Sequence, residues 1–398
     1  AKSCSTCKIN NQKTKSTTAA TTTVTSDIDL GWIKQATVFG ETQKVHGAEA
    51  RETLGIIRSS VEYMLKEVSD LPPDVMKKCL NRNELCAFWA ALGECEKNQA
   101  FMLTNCAPSC KSCHLIDMES RCPKLPDAVP GLFPGGLNKM FERIVKEAPG
   151  NKTLSEEERA ALQATGTPEY TVNIISRPST SPAIEISEVL DKSLPPWIVT
   201  FDNFLTPEEC DALINLGYKE GYERSRDVGD LNFDGSFDGV ESTGRTSENA
   251  WCSSRSGCRQ DPSVKKIMDR MSDVMGIPAV NSEDLQVLKY EKGQFYNSHH
   301  DYIGHQKDRQ CGPRILTFFL YLSDVEAGGG TRFTSLGHTV LPKKGRALLW
   351  PSVLDSNPSK QDGRTMHEAM QVEAGTKFAA NGWIHLYDYI SPQERGCT

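Results

Sequence analysis

Six cysteines fall between Cys79 and Cys113, and the stretch they enclose has too few core-forming side chains to fold unaided. Cross-links must therefore stand in for the hydrophobic core that so short a segment lacks. Cysteine spacing alone allows many connectivities and does not choose the pairs. The chain carries 14 cysteines in all. That density fits an oxidising compartment, because in a reducing cytosol it more often signals metal binding. Asn151-Lys152-Thr153 is an N-glycosylation sequon, which agrees with secretion. The start at Ala1, without Met or an apolar leader, is read as a leader already absent.

With 398 residues the chain is too long for one typical core, so one large and one small domain are expected. A net charge of -7 without a long basic run argues against nucleic acid, which needs clustered Lys and Arg. The longest apolar stretch, Ile315 to Leu322, is too short to cross a bilayer and reads as a buried strand. No membrane span is expected, and the oligomeric state is left open.

Along the chain, residues 10–26 are Thr, Ser, Lys and Asn with almost no apolar groups, so burial cannot offset the entropy of ordering them. They read as a flexible or O-glycosylated lead-in. Leu54, Ile57, Val61, Met64 and Val68 recur at helical spacing, and Pro72-Pro73 ends that run. The organisation expected is a lead-in and amphipathic helix over 1–75, a disulfide domain over 76–114, a connector over 115–190 and a large domain over 191–398. The connector holds one helical patch around Met140 to Lys146. In the large domain, a strand near Trp197 to Phe201 precedes a helix with Thr206 as N-cap, Pro207 in the first turn and Glu209 completing a capping box. Asp261-Pro262 opens a second helix that Gly276 ends.

After Ser282 the texture changes to short β-rich runs: Leu285–Tyr290, Arg314–Leu322, Thr331–Phe333, Thr339–Leu341, Arg346–Trp350 and Lys377–Tyr387. Helices followed by a run of strands imply an α+β class, with an antiparallel sandwich or jelly roll flanked by helices.

His299, Asp301 and the distant His367 supply two imidazoles and a carboxylate, the donor set that holds one face of Fe(II) and leaves positions open for a bidentate 2-oxo acid and dioxygen. Alternate strand residues share a face, so His299 and Asp301 point together while His300 points away. Lys377 follows His367 as a long-stemmed cation suited to a buried carboxylate.

Read together, Tyr290-Glu-Lys-Gly-Gln-Phe-Tyr296-Asn-Ser-His299-His-Asp301, Arg314-Ile-Leu-Thr317, Gly328-Gly-Gly-Thr331-Arg-Phe333 and His367 through Lys377 to Trp383-Ile384 resemble the prolyl 4-hydroxylase family. The likeness spans roughly residues 195–390. It implies a double-stranded β-helix with iron on His299, Asp301 and His367, and Lys377 on the distal carboxylate of 2-oxoglutarate. Tyr290 and Thr331 match hydroxyl donors to that co-substrate, and Tyr296, Arg314 and Trp383 match positions near a target proline ring. The implied activity is hydroxylation of proline in Pro-rich or collagen-like polypeptides with Fe(II), O2, 2-oxoglutarate and ascorbate, in the endoplasmic reticulum or secretory pathway. A 2-oxoglutarate oxygenase acting on another substrate and a non-catalytic binding protein are the rivals. Gly330 stands where the family often has an acidic residue, so a looser turn before Thr331 is expected.

The cysteine segment, with Trp89, Gly93 and Met102 between its cysteines, resembles the ShKT domain, which implies pairs Cys79–Cys113, Cys86–Cys106 and Cys95–Cys110. Whether that module is a staple or grips a substrate stays open. Asp230, Asn232, Asp234, Asp238 and Glu241, with Gly235 between them, satisfy the EF-hand loop template, leaving a calcium-ordered lid and a solvated acidic loop as alternatives. Cys252 and Cys258 are placed to pair locally, Cys311 and Cys397 to pair or remain free, and Cys4 and Cys7 form a lone CxxC with no assigned role.

Overall fold

The computed structural model describes residues 39–45, 47–179 and 187–398. The polar lead-in at 10–26, with Cys4 and Cys7, lies outside the described residues. The chain divides into two units, one holding residues up to Pro123 with 229–238 and 394–396, the other 124–228, 239–393 and 397–398.

In the first unit the helix Ala50–Lys66 turns Val61 and Tyr63 inward. Tyr63, Val68, Cys79, Ala107, Cys113 and Ile116 form one buried cluster. The Cys113 amide donates to the Tyr63 hydroxyl at 3.1 Å. The amphipathic helix and the cystine segment, expected as separate pieces, thus share a core, because neither has enough apolar surface to close one alone. The disulfides are Cys79–Cys113, Cys86–Cys106 and Cys95–Cys110, the pairing the resemblance implied. Arg121 donates to the carbonyls of Leu115 at 2.9 Å, Ile116 at 3.0 Å and Asp234, and the Arg82 guanidinium lies 3.8 Å over the Phe233 ring. Replacing Cys86 and Cys106 together by alanine is expected to cost this unit about 2–5 kcal/mol. Hydrogen exchange over 79–113 reads that loss, and unchanged protection would show that the apolar cluster suffices.

The strands are β1 Thr171–Ser176, β2 Ile198–Asp202, β3 Glu223–Arg224, β4 Asp227–Leu231, β5 Phe237–Val240, β6 Glu248–Cys252, β7 Leu285–Tyr290, β8 Tyr296–His299, β9 Arg314–Tyr321, β10 Ala327–Gly328, β11 Thr331–Phe333, β12 His338–Val340, β13 Ala347–Pro351, β14 His367–Ala369, β15 Val372–Ala374 and β16 Lys377–His385, and all of them but the 229–238 part of β4 and β5 belong to the second unit. A large sheet runs β1-β2-β13-β9-β16-β7-β6-β3, a smaller one β12-β11-β14-β8, and β4 pairs with β5 as a hairpin. All the registered pairs are antiparallel.

Alternation divides the large sheet into two faces. Val199, Phe201, Phe318 and Ile384 pack with Phe141, Leu213, Ile267 and Met271 of the helices Gly136–Glu147, Pro207–Glu220 and Pro262–Met275. Leu288, Phe319, Tyr321, Leu348 and Trp350 face inward with Phe333 and Val340 of the small sheet. This is the jelly roll with supporting helices that the strand rhythm implied. The Thr206–Glu209 capping box forms. The Glu209 carboxylate then turns under it to take Arg270 at 2.9 and 2.7 Å, so a buried cation is paired rather than stranded.

The stretch expected to be a connector contributes to this unit. Its helix Gly136–Glu147 packs on the sheet, and β1 extends the sheet edge beyond β2. Cys252 pairs with Cys258, Cys311 is buried and free, and Cys397 is disulfide-bonded, so Cys311 and Cys397 are not partners. Among the described residues no helix is long and apolar enough to cross a membrane.

Candidate functional site

The small sheet brings the separated histidines together, because β14 pairs with β8 in a register that sets His367 opposite His299. Asp301 lies just beyond the end of β8, and its Oδ2 accepts from the Thr317 hydroxyl of β9 at 2.7 Å. His299 Nε2 stands 3.9 Å from one Asp301 oxygen and His367 Nε2 3.5 Å from the other. Among the described residues this is the group of three metal-ligating side chains whose donor atoms all lie within 4.8 Å of one another.

Each histidine is held in one tautomer. His299 Nδ1–H donates to the Asn297 carbonyl at 2.8 Å and His367 Nδ1–H to the Thr365 carbonyl at 3.0 Å, so both Nε2 lone pairs face the gap. Burial, with His367 beside it, pushes His299 down to about 3, which keeps it neutral and ready to ligate. Burial alone would push Asp301 up, but His367, His299 and the Thr317 hydroxyl outweigh it and hold the carboxylate below its usual range. Two imidazoles that turn Nε2 to the gap and an ionised carboxylate fit Fe(II). His300 is otherwise occupied. Its Nδ1 accepts from the Tyr302 amide at 2.9 Å and its Nε2–H donates to the Asp362 carbonyl at 2.8 Å.

Lys377 begins β16, opposite Tyr290 of β7. It is wholly buried, and its Nζ has no hydrogen-bond partner. Its surroundings are the faces of Tyr290, Phe319 and Tyr321 at 5.2, 5.3 and 5.6 Å, and burial alone pulls it down to about 7. A buried ammonium without a counter-charge is costly, so the pocket is built to receive an anion. Thr331 lies in this layer, its Oγ1 accepting from the Tyr321 hydroxyl at 2.7 Å, and the Tyr290 hydroxyl bonds Ser247. The turn before Thr331 is tighter than expected. Gly328 and Gly329 adopt φ of 75° and 68°, and a Cβ on Gly328 would sit 2.3 Å from the Gln371 carbonyl oxygen.

Trp383 pairs across the sheet with Thr317, and the Arg314 guanidinium lies 3.7 Å over its ring. Tyr296 stacks on His299 with ring centres 3.6 Å apart. Sequence reasoning missed what fixes Arg314. Glu283 accepts from Arg314 Nε at 2.5 Å and from His385 Nε2 at 2.8 Å, while His385 Nδ1 reaches the Gly312 carbonyl at 2.8 Å. With both ring nitrogens donating, His385 is an imidazolium. Burial works against that charge, but Cys311 and Glu283 outweigh it and leave His385 near 9. Trp251, 6.1 Å from Trp383, was also missed. A single acid before a buried strand and a lone tryptophan carry no spacing signal.

The acidic stretch fitted to a calcium loop folds as the β4–β5 hairpin. Asn232 donates to Asp238 at 3.0 Å, Asp234 accepts from the Ser236 hydroxyl at 2.6 Å, and Glu241 faces Arg226 at 3.8 Å. Asp230, Asp234, Asp238 and Glu241 do not converge as the iron-type ligands do. The reason is that Asp, Asn and Gly serve a hairpin turn as readily as an ion loop.

Comparison with known proteins agrees with this geometry. The family model described as the 2OG-Fe(II) oxygenase superfamily matches residues 285–385, and an ShK domain-like model matches 78–113. Prolyl 4-hydroxylase 2 of Arabidopsis thaliana is 36% identical over 251 residues, which cover 56% of this chain and 79% of that protein. Prolyl 4-hydroxylase subunit alpha-1 of Rattus norvegicus is 37% identical over 148 residues, 35% of this chain and 26% of that one. Among solved structures, the viral collagen prolyl hydroxylase of Paramecium Bursaria Chlorella virus-1 in its 2OG complex is similar at 27% identity, with a TM-score of 0.37, over 47% of this chain and 95% of that one.

Proposed function

The chain belongs to the prolyl 4-hydroxylase family and is an Fe(II)- and 2-oxoglutarate-dependent dioxygenase, and from that premise we propose that it hydroxylates proline in Pro-rich or collagen-like polypeptides. The observation that carries the reading is the unpaired, buried Lys377 in the same barrel as the His299, Asp301 and His367 set, since a dicarboxylic co-substrate supplies the missing counter-charge. His299, Asp301 and His367 hold the metal, Lys377 takes the distal carboxylate, and Tyr290, Tyr321 and Thr331 line that end. When bound, iron couples dioxygen to the decarboxylation of 2-oxoglutarate to succinate and the hydroxylation of a substrate carbon.

The protein orients and excludes water. Thr317 fixes the Asp301 carboxylate. Phe319 and Trp350 wall the barrel. The Glu283–Arg314 pair presents a flat guanidinium stacked on Trp383. Such aromatic surfaces suit a polyproline II ligand, which is already extended and has little entropy left to lose. We place the protein in the endoplasmic reticulum or secretory pathway on the strength of its disulfides, with ascorbate as the reductant that keeps iron ferrous. Calcium is not needed by this reading.

The test is to incubate the protein with Fe(II), 2-oxoglutarate, ascorbate and a set of proline-rich peptides. Succinate release matched by one added oxygen on proline, located by fragment masses, is expected. Oxygen on a different residue, or succinate without peptide modification, points to another substrate, and no succinate at all points to a binding protein.

A further inference from the structure

The tyrosine stacked on the metal ligand is itself held from an unexpected side. The Tyr296 hydroxyl donates to Asp227 Oδ1 at 3.1 Å, and Asp227 is the first residue of β4, at the root of the hairpin. Arg245, only 7% exposed, places its guanidinium 4.6 Å from the centre of the same ring. One of its nitrogens donates to the Arg226 carbonyl at 3.1 Å and lies 3.8 Å from the Asp227 carboxylate. The other donates to Gln286 at 3.2 Å. On the segment that follows the hairpin, the Asn297 amide donates to the Gly244 carbonyl at 2.7 Å and the Thr246 amide to the Phe295 carbonyl at 2.9 Å. The hairpin root and the segment after it are therefore both tied to the strand that ends in His299.

These bonds differ in what they do. The backbone bonds fix where the two strands run, but they leave the Tyr296 side chain free to choose a rotamer. Three contacts restrict it, the stack on His299, the Arg245 guanidinium over its ring and the bond to Asp227. The last is the most directional restraint, because an ionised acceptor roughly doubles the strength of a hydrogen bond. Asp227 also sits where a moving hairpin would be felt first.

We propose that Asp227 is a positioning residue for peptide binding. It holds the Tyr296 ring flat against His299 and ties the hairpin root to the ligand strand, so that a peptide meets a wall already in place. Preorganisation of this kind improves affinity by removing ordering that binding would otherwise have to supply. Asp227 acts through Tyr296 and touches neither metal nor co-substrate, so its loss falls on the peptide. The proposal rests on the hydroxylase reading for its kinetic arm and on the fold alone for its exchange arm.

The experiment compares Asp227→Ala, Tyr296→Phe, the double variant and Asp227→Asn. Asp227→Ala is expected to raise the KM for a proline-rich peptide about tenfold, the usual weight of a hydrogen bond to a charged group, with the KM for 2-oxoglutarate within about twofold. Tyr296→Phe should match it and the double variant should add nothing, because both remove one bond. Asp227→Asn should recover most of the affinity, since its amide oxygen still accepts. In the metal-free protein, amides across 227–240 should exchange faster in Asp227→Ala and Tyr296→Phe but not in Asp227→Asn. Additive effects in the double variant, or unaltered hairpin exchange in both single variants, would overturn the proposal. If no variant and no wild-type protein hydroxylates proline, the functional reading falls, and the exchange data still decide whether the latch exists.

Discussion

Replacing His299 by alanine should abolish Fe(II)-dependent succinate release, whereas the same change at the adjacent His300 should leave iron binding within a few fold and lower stability instead. The contrast follows from what each ring faces. His299 presents Nε2 to the gap shared with Asp301 and His367. Both His300 nitrogens are consumed by the Tyr302 amide and the Asp362 carbonyl. Removing a group that merely supports a ligand typically costs about 10–100-fold in metal affinity, so loss of a ligand itself should exceed about 100-fold. Thr317→Val, which deletes the hydroxyl donated to Asp301, belongs in the 10–100-fold range. For His300→Ala, the Tyr302 amide loses its acceptor, at about 1–3 kcal/mol, while the Asp362 carbonyl keeps the Thr365 amide and hydroxyl. Calorimetry with Fe(II) under nitrogen separates the variants, and denaturant titration reads the stability. Equal loss of iron in the two histidine variants would mean that the metal sits elsewhere.

What the sequence made legible and what it hid follow one physical line. Features encoded by neighbouring residues were readable. The Thr206–Glu209 capping box and the Gly276 helix end form where the side chains say they should, because a helix terminus needs only local donors and acceptors. His299 and Asp301 were legible as a His-x-Asp pair, although Asp301 lies just past the end of β8, where strand alternation no longer applies, and the three disulfides between Cys79 and Cys113 were legible through the ShKT resemblance.

Features that depend on a distant partner were hidden. β1 reads as polar connector because an edge strand buries only part of one face, with Val172 and Ser176 inward. β8 shows no apolar alternation, since its residues are Tyr296, Asn297, Ser298 and the candidate ligand His299, and only Tyr296 packs against the core. Glu283 gains meaning only when β9 and β16 bring Arg314 and His385 to it. The calcium template was ambiguous for the opposite reason. It describes composition that an ion loop and a hairpin turn share, and here the segment pairs as β4 with β5.

Changing Lys377 to methionine is expected to stabilise the protein while removing its affinity for 2-oxoglutarate. Burial without a partner pulls the ammonium from about 10.5 to about 7. Between those values the unfolded chain binds more protons than the folded one, so wild-type stability should rise with pH across that window. Below pH 7 the full penalty stands, on the order of 5 kcal/mol. Methionine fits the same slot between Tyr290, Phe319 and Tyr321 and carries no charge. The variant should therefore melt several degrees higher at neutral pH, at about 2–4 °C per kcal/mol for a domain of this size, and should lose the pH slope.

Co-substrate affinity should run the other way. A dianion needs the ammonium, so the Kd of 2-oxoglutarate on anaerobic iron-loaded protein should be level below pH 7. Above it, the Kd should rise about tenfold per unit as binding takes up a proton. One proton on one nitrogen thus raises stability when it leaves and lowers affinity by leaving. A wild-type protein with a flat 2-oxoglutarate profile from pH 6 to 9, or a Lys377→Met variant that melts lower, would place the carboxylate partner on a different side chain.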